Sequence, residues 1–149
     1  MTDQPTASTP PAAPRAAATV VMLRDGTAGL EVFMVRRHGL PDALGGTYVF
    51  PGGKVDPDDA QLQPHQHLDQ DPELLRTSLG EPDLELNVLQ ATALYVAAVR
   101  EAFEECGVLF AHGPGGAGPI DGAAVATHCR AGHSFNNAVA ALGLRLHTQ

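Results

Sequence analysis

Three glutamates near the end of one long predicted helix are the side chains in this sequence best arranged for chemistry. Glu101, Glu104 and Glu105 stand at spacings i, i+3 and i+4 within residues 87–110, so a helix makes their carboxylates neighbours. They lie in the last turns, where the helix dipole is already negative, and Arg100 is the cation close enough in sequence to offset them. This acidic face is either a solvated surface or a site for a divalent cation such as Mg²⁺, which prefers carboxylate oxygens.

Residues at both ends of this helix predict where it starts and stops. Asn87 and Gln90 have the spacing of a capping box, and Gly107 tolerates the left-handed conformation that ends helices. The apolar residues of the second half share one narrow arc, on the side opposite the glutamates. That arc contains Val96, Val99, Phe103 and Cys106. The sequence therefore predicts a helix with a buried side and an acidic side.

A double glycine followed by acidic residues is the second segment of interest, and it reads FPGGKVDPDDA at residues 50–60. Gly52 and Gly53 permit a close backbone approach that other residues resist. Pro57 predicts a loop, which carries three further carboxylates. These are Asp56, Asp58 and Asp59.

The remaining segments are predicted to alternate between short strands, loops and short helices. Two apolar runs separated by a glycine-containing turn predict a hairpin. Residues 60–86, rich in Gln, Asp, Pro and Leu, are expected to be irregular, and Leu144 is expected to begin a strand without a return partner. The predicted strands are Ala18–Leu23, Leu30–Val35 and Thr47–Phe50, and the predicted helical segments are 72–79, Asp121–Arg130 and Ser134–Leu142.

Other clusters of charged or metal-binding residue types have two interpretations each. Arg36, Arg37 and His38 follow the second apolar run, and they are either solvated or in contact with an anionic substrate, since arginine pairs well with phosphate. Histidines also lie close together in two places, and a cysteine lies beside them in the second. Neither has the spacing of a zinc site, so solvated side chains are the favoured interpretation. These residues are His65, His67, His128, Cys129 and His133.

Length and composition limit the class of protein. The 149 residues suffice for one domain, and a formal net charge of −8 argues against a broad electrostatic contact with nucleic acid. Two cysteines make no disulfide framework and fit a reducing cytoplasm. No apolar run is long enough to span a membrane. Residues 1–17, rich in Pro, Ala and Thr, are expected to be a disordered tail without a signal sequence, followed by one domain at residues 18–149.

The two segments together resemble the signature of the Nudix hydrolases, G-x5-E-x7-R-E-U-x-E-E-x-G-U, where U is apolar. Residues 100–108, REAFEECGV, match its second half when Ala102 counts as the apolar position. Gly53 and Asp59 stand six residues apart, like the first Gly and the first Glu of the signature, with Asp in place of Glu. Forty residues separate Asp59 from Arg100 instead of seven. The chain is therefore similar to the branch with a long insertion, which includes coenzyme A diphosphatases.

The resemblance implies an α/β fold of the Nudix type, an α/β/α sandwich with a mixed sheet and an insert at about residues 60–92. It implies that Arg100 fixes the carboxylates by ion pairing and that Asp59 supports this arginine. It also implies a bound Mg²⁺ or Mn²⁺ ion. The ligands would be Gly52, through its carbonyl, and Glu101, Glu104 and Glu105.

The activity implied is hydrolysis of a diphosphate linkage in a nucleoside diphosphate derivative, with coenzyme A or acyl-CoA as the favoured substrate. Attack of water puts charge on the leaving phosphate oxygens, which divalent cations neutralise. Glu104 or Glu101 would accept the proton of the water as general base, and Arg36 and Arg37 are candidate substrate contacts. The expected partner is this small molecule, with no nucleic acid and no membrane, and the oligomeric state stays open.

Chains of this branch usually continue well past the last residue of this one, so we expect a sheet that is incomplete at its C-terminal end. Incompleteness favours a rival hypothesis, in which the chain is a catalytically inactive, truncated module that binds nucleotides. The intact REAFEE segment at residues 100–105 argues against that rival, because drift would be expected to change the charged ligands first.

Overall fold

The computed structural model describes residues 14–37, 46–80, 85–116 and 120–149. Six short strands come first, and helices with two further strands follow, so the described residues form the mixed α and β structure that was predicted. The strands are β1 Ala17–Thr19, β2 Leu23–Gly26, β3 Gly29–Val32, β4 Val35–Arg36, β5 Tyr48–Val49, β6 Gly52–Lys54, β7 Ala111–His112 and β8 Arg145–Leu146. The helices are α1 Pro64–His67, α2 Pro72–Ser78, α3 Val88–Cys106, α4 Ala123–Arg130 and α5 Phe135–Ala141, and the 3-10 turns are Pro57–Ala60 and Pro114–Gly116.

The predicted acidic helix is α3, and both of its expected ends are confirmed. Asn87 Oδ1 accepts a hydrogen bond from Gln90 N–H at 2.9 Å, and Asn87 N–H donates to Gln90 Oε1 at 3.0 Å, which is a capping box. Gly107 ends the helix with a φ of 72°, the left-handed conformation that favours glycine. Val99 is buried whereas Cys106 is only half-buried, so the apolar arc is deepest in the middle of the helix.

The strands form four separate antiparallel pairs rather than the single mixed sheet expected from the resemblance. The pairs are β1–β6, β2–β3, β4–β5 and β7–β8, and an isolated bridge between Leu68 and Leu146 is parallel. The physical reason is that side chains of the β2–β3 hairpin are exposed to solvent. Leu23, Leu30 and Val32 of the β2–β3 hairpin are 55%, 66% and 47% exposed, so this hairpin has no buried face that would draw it into one layer with the other ladders. A hairpin forms around the predicted turn, but its first strand is Leu23–Gly26 and not the predicted Ala18–Leu23, because Ala17–Thr19 pairs with β6 instead. The α/β/α layering stays a prediction.

The core lies between α3, the α4–α5 pair and the C-terminal strand. The strand expected at Leu144 forms as β8 and pairs with the earlier strand β7, while C-terminal incompleteness stays a prediction. Burial of these residues holds α3 in place and stabilises the fold. The core residues are Leu62, Leu68, Leu75, Val96, Val99, Ala111, Val125, Phe135, Ala138, Val139, Leu144 and Leu146.

The expected insert is more regular than its composition predicts. The helical segment predicted near residues 72–79 is confirmed as α2, which begins where Asp71 Oδ1 accepts from Glu73 N–H at 2.8 Å, and α1 is an additional turn of helix. Residues 1–13 of the expected tail, and His38, lie outside the described residues. The domain boundary at residue 18 stays a prediction. None of the helices described is both long and apolar enough to cross a membrane.

Replacing Gly107 with alanine tests the cap of α3. A Cβ at this position meets no atom within 4 Å, so the loss comes from the positive φ alone and is expected to be about 1–2 kcal/mol. Urea unfolding measures it. Gly107→Asn is the matched control, because asparagine tolerates the left-handed region and should lose less. Equal losses in the two variants would contradict this conformational explanation.

Candidate active site

The acidic face of α3 lies directly against the double-glycine strand β6. Gly52 N–H donates to Glu105 Oε2 at 3.1 Å. A Cβ built on Gly53 would overlap the carboxylate of Glu101, so this carboxylate occupies the space that a side chain at position 53 would fill. The structure therefore brings two of the three glutamates into contact with the double glycine.

The ladder between β1 and β6 explains why Gly52 is free to make this contact. Val20 N–H donates to Pro51 O at 2.9 Å, and in an antiparallel ladder the residues that bond to the partner strand alternate with residues that do not. Gly52 therefore turns both its N–H and its carbonyl away from β1, towards the side on which Glu105 lies. The sequence-based expectation that the Gly52 carbonyl is a metal ligand requires this orientation.

A buried ion pair joins α3 to the turn Pro57–Ala60. Arg100 Nε and Nη2 donate to the two carboxylate oxygens of Asp59, each at 3.0 Å, which is the strong bidentate geometry. Asp59 has no exposed surface, and the arginine side chain is 8% exposed. Arg100 also donates to Lys54 O at 2.9 Å, and Asp59 accepts from Asp56 N–H at 2.8 Å. The aspartate thus reaches the arginine in spite of its short side chain.

The same arginine contacts two of the three glutamates. Arg100 Nη1 donates to Glu101 Oε1 and to Glu104 Oε2, both at 2.9 Å. Burial alone lowers the pKa of Arg100, but the hydrogen bonds and charge of Asp59, together with both glutamates, outweigh burial and raise this pKa. The guanidinium therefore stays charged and offsets the carboxylates crowded at the negative end of the helix dipole.

Asn136 on α5 completes this arrangement, and sequence reasoning missed it. Its side chain, 7% exposed, donates from Nδ2 to Asp58 O at 2.8 Å and to Asp59 Oδ1 at 3.5 Å. The sequence does contain one sign of the role of Asn136, namely its position among the apolar residues Phe135, Ala138 and Val139. That pattern indicates a buried, hydrogen-bonded amide, but it does not reveal a partner 78 residues away.

The donor set fits a hard divalent cation in type. The described bonds use one oxygen of each glutamate, and carboxylate oxygens are what Mg²⁺ and Mn²⁺ prefer. Within the described ranges, however, no three Asp, Glu, His or Cys side chains converge as a metal centre requires. Arg100 Nη1 is bonded to both Glu101 and Glu104. The donors share one face, and binding an ion requires rotation of these side chains relative to the arginine.

The other candidate residues lie apart from the acidic face. Arg36 and Arg37 are exposed, and none of the described hydrogen bonds or ion pairs joins them to the glutamates, so their contact with substrate stays a prediction. His67 is buried, and its Nδ1 lies 2.9 Å from Leu144 O, which is a structural contact rather than the solvated position expected. The rings of His128 and His133 are 5.8 Å apart, without a converging third ligand in the described residues.

Comparison with solved structures finds a protein similar to this chain. The crystal structure of a Nudix hydrolase from Alicyclobacillus acidocaldarius is 30% identical and superposes with a TM-score of 0.59. The match covers 90% of this chain and 57% of that chain, so this chain spans little more than half of that protein's length. Neither the family profiles nor the curated proteins contain a match. The likeness supports the Nudix hydrolase family and does not distinguish the coenzyme A branch.

Replacing Arg100 with methionine tests the buried pair. The change leaves the carboxylate of Asp59 buried without its counter-charge, so the free energy of unfolding should fall by about 3–5 kcal/mol. Urea unfolding measures the loss. The matched control is Arg76→Met, because Arg76 pairs with Glu73 at the surface, and its loss should stay below about 1 kcal/mol. Adding Asp59→Asn to Arg100→Met should restore part of the free energy of unfolding. A double variant that is less stable than Arg100→Met alone would contradict this interpretation.

Proposed function

We propose that this chain is a metal-dependent Nudix hydrolase that cleaves a diphosphate linkage in a nucleoside diphosphate derivative. The observation that supports this most is the packing of the acidic face against Gly52 and Gly53. Arg100 bridges buried Asp59 and two of the glutamates in the same place. Coenzyme A or acyl-CoA is the favoured substrate, on the basis of the resemblance of residues 49–59 and 96–110 to that branch.

The residues of the proposed site act as ligands, as a base and as a positioning residue, and Glu104 has the first two roles. The three glutamates and the Gly52 carbonyl would hold Mg²⁺ or Mn²⁺, which when bound neutralises charge that develops on the phosphate oxygens. The side chain of Glu104 is 46% exposed and that of Glu101 15%, so Glu104 is better placed to take a proton from water. Arg100 contacts carboxylates, and it therefore positions them rather than binding substrate.

The partners proposed for this protein follow from its charge. A net charge of −8 disfavours nucleic acid as a partner, whereas a metal ion on the acidic face would attract a small diphosphate locally. We propose a cytoplasmic small-molecule enzyme without a membrane partner.

A second candidate function is a catalytically inactive module that binds nucleotides. The observation in its favour is that Arg100 occupies the position between Glu101 and Glu104. If the arginine keeps both carboxylates, the acidic face holds no ion, and phosphate chemistry loses its main source of charge stabilisation.

Replacing Glu104 with glutamine tests the proposed base. The side chain is partly exposed, and the amide oxygen can still accept from Arg100, so stability should change little. Hydrolysis with Mg²⁺ should fall by at least about 100-fold in kcat, the usual contribution of a general base. Glu73→Gln is the matched control, because Glu73 is another exposed, arginine-paired glutamate on a helix. Activity of Glu104→Gln near the wild-type rate would refute the assignment.

Calorimetry with Mn²⁺ and coenzyme A separates the two candidate functions. The enzyme should bind Mn²⁺ on the acidic face and release two phosphate-containing products, detected by chromatography of the same sample. A parallel screen of nucleoside diphosphate derivatives identifies the preferred substrate. Binding of coenzyme A without turnover of any diphosphate tested would favour the inactive module.

A further inference from the structure

Two histidines outside the candidate active site face each other at the C-terminal ladder. His112 is the last residue of β7 and His147 follows β8. Nδ1 of His112 lies 2.6 Å from Nε2 of His147, and the ring centroids are 4.7 Å apart with the planes tilted by 43°. His147 N–H donates to Phe110 O at 2.9 Å, which holds the backbones in register. The two facing nitrogens are within hydrogen-bond distance, and the tautomers of the two rings decide which nitrogen donates.

We propose that this histidine pair is a binding site for Zn²⁺, with the ion held between the two facing nitrogens. Neutral imidazole nitrogens are ligands that Zn²⁺ prefers over the carboxylate oxygens that suit Mg²⁺. Zinc–nitrogen bonds of about 2.0–2.1 Å in tetrahedral geometry place two ligands about 3.3 Å apart. The nitrogens must therefore separate by a fraction of an ångström. Side-chain rotation provides this, because His147 is exposed and His112 is half-buried.

The charges around the pair favour a cation on one side and oppose it on the other. Asp69 lines the same groove as His147, a groove of about 790 Å³, and its Oδ1 accepts from Thr148 N–H at 2.9 Å and from Thr148 Oγ1–H at 2.7 Å. This carboxylate is therefore held beside the residue that follows His147. Arg145 lies opposite His112 in the ladder, but its guanidinium donates to Leu68 O.

The site has two protein ligands, with the remaining positions open to water. No third His, Cys, Asp or Glu converges with the pair in the described part of the chain. The ion would connect β7 to β8, a ladder of two residues per strand. Since the pair forms only when both strands are in place, bound Zn²⁺ stabilises the folded state and raises Tm. Its nitrogen ligands make it distinct from the acidic face.

Isothermal titration of tag-free protein with Zn²⁺, in buffer saturated with Mg²⁺, tests the proposal. One Zn²⁺ per chain should bind and raise Tm. His112→Gln and His147→Gln should each weaken this binding by at least tenfold. His133→Gln is the matched control, and it should bind Zn²⁺ like the wild type. The ring of His133 faces that of His128 at 5.8 Å, and among the described hydrogen bonds only a backbone one joins the two residues.

Imidazole ¹⁵N NMR on the wild-type protein gives a readout that does not depend on how the variants fold. Zn²⁺ should shift Nδ1 of His112 and Nε2 of His147, and Mg²⁺ should shift neither. Unchanged Zn²⁺ affinity in His147→Gln, or shifts confined to His128 and His133, would overturn the proposal, and so would no Zn²⁺ binding by the wild type. Glu104→Gln should keep the Zn²⁺ site whether or not it loses hydrolysis, so the two proposals fail independently.

Discussion

The buried ion pair between Asp59 and Arg100 is the interaction on which the rest of the candidate site depends. A carboxylate without exposed surface is unfavourable unless its charge is paired and its oxygens are hydrogen-bonded. Donors from three places satisfy it, namely Arg100 on α3, the backbone N–H of Asp56 and Asn136 on α5. Because the pair loses much of its stabilisation if any of these donors moves away, the turn and the two helices are held in one arrangement. That arrangement sets the rotation of α3 and hence the direction of its glutamates.

The double glycine is the complementary constraint, since it lets the helix approach the strand closely enough for the carboxylates to meet the backbone. Glu101 fills the space where a side chain at Gly53 would lie, and Glu105 accepts from Gly52 N–H. The result is a crowded group of carboxylates. In the described ion pairs, the cation that pairs with them is Arg100. Such crowding at the negative end of a helix favours a further cation, which is the physical basis of the proposed hydrolase.

Local features of the fold were predictable from sequence where neighbouring residues decide them. The capping box at Asn87 and the left-handed cap at Gly107 depend on the residue types themselves, and both form as predicted. The turn between β2 and β3 follows in the same way from its residues, whereas the predicted first strand Ala18–Leu23 is wrong, since Ala17–Thr19 pairs with β6. The prediction of a single mixed sheet is wrong for the described residues. Assembly of strands into one sheet depends on which of their faces become buried, and strand propensity does not determine this.

The sequence by itself determined the acidic helix, its two ends and, through the spacing of Gly53, Asp59 and the REAFEE segment, the resemblance to one hydrolase family. It could do so because these features are encoded over a few residues or in a short signature. Only the tertiary structure decided that Asn136 supports Asp59, that Arg100 stands between two glutamates, and that His112 meets His147. Two of these contacts join residues far apart in the chain, and the third depends on rotamers set by packing. No local pattern specifies such geometry.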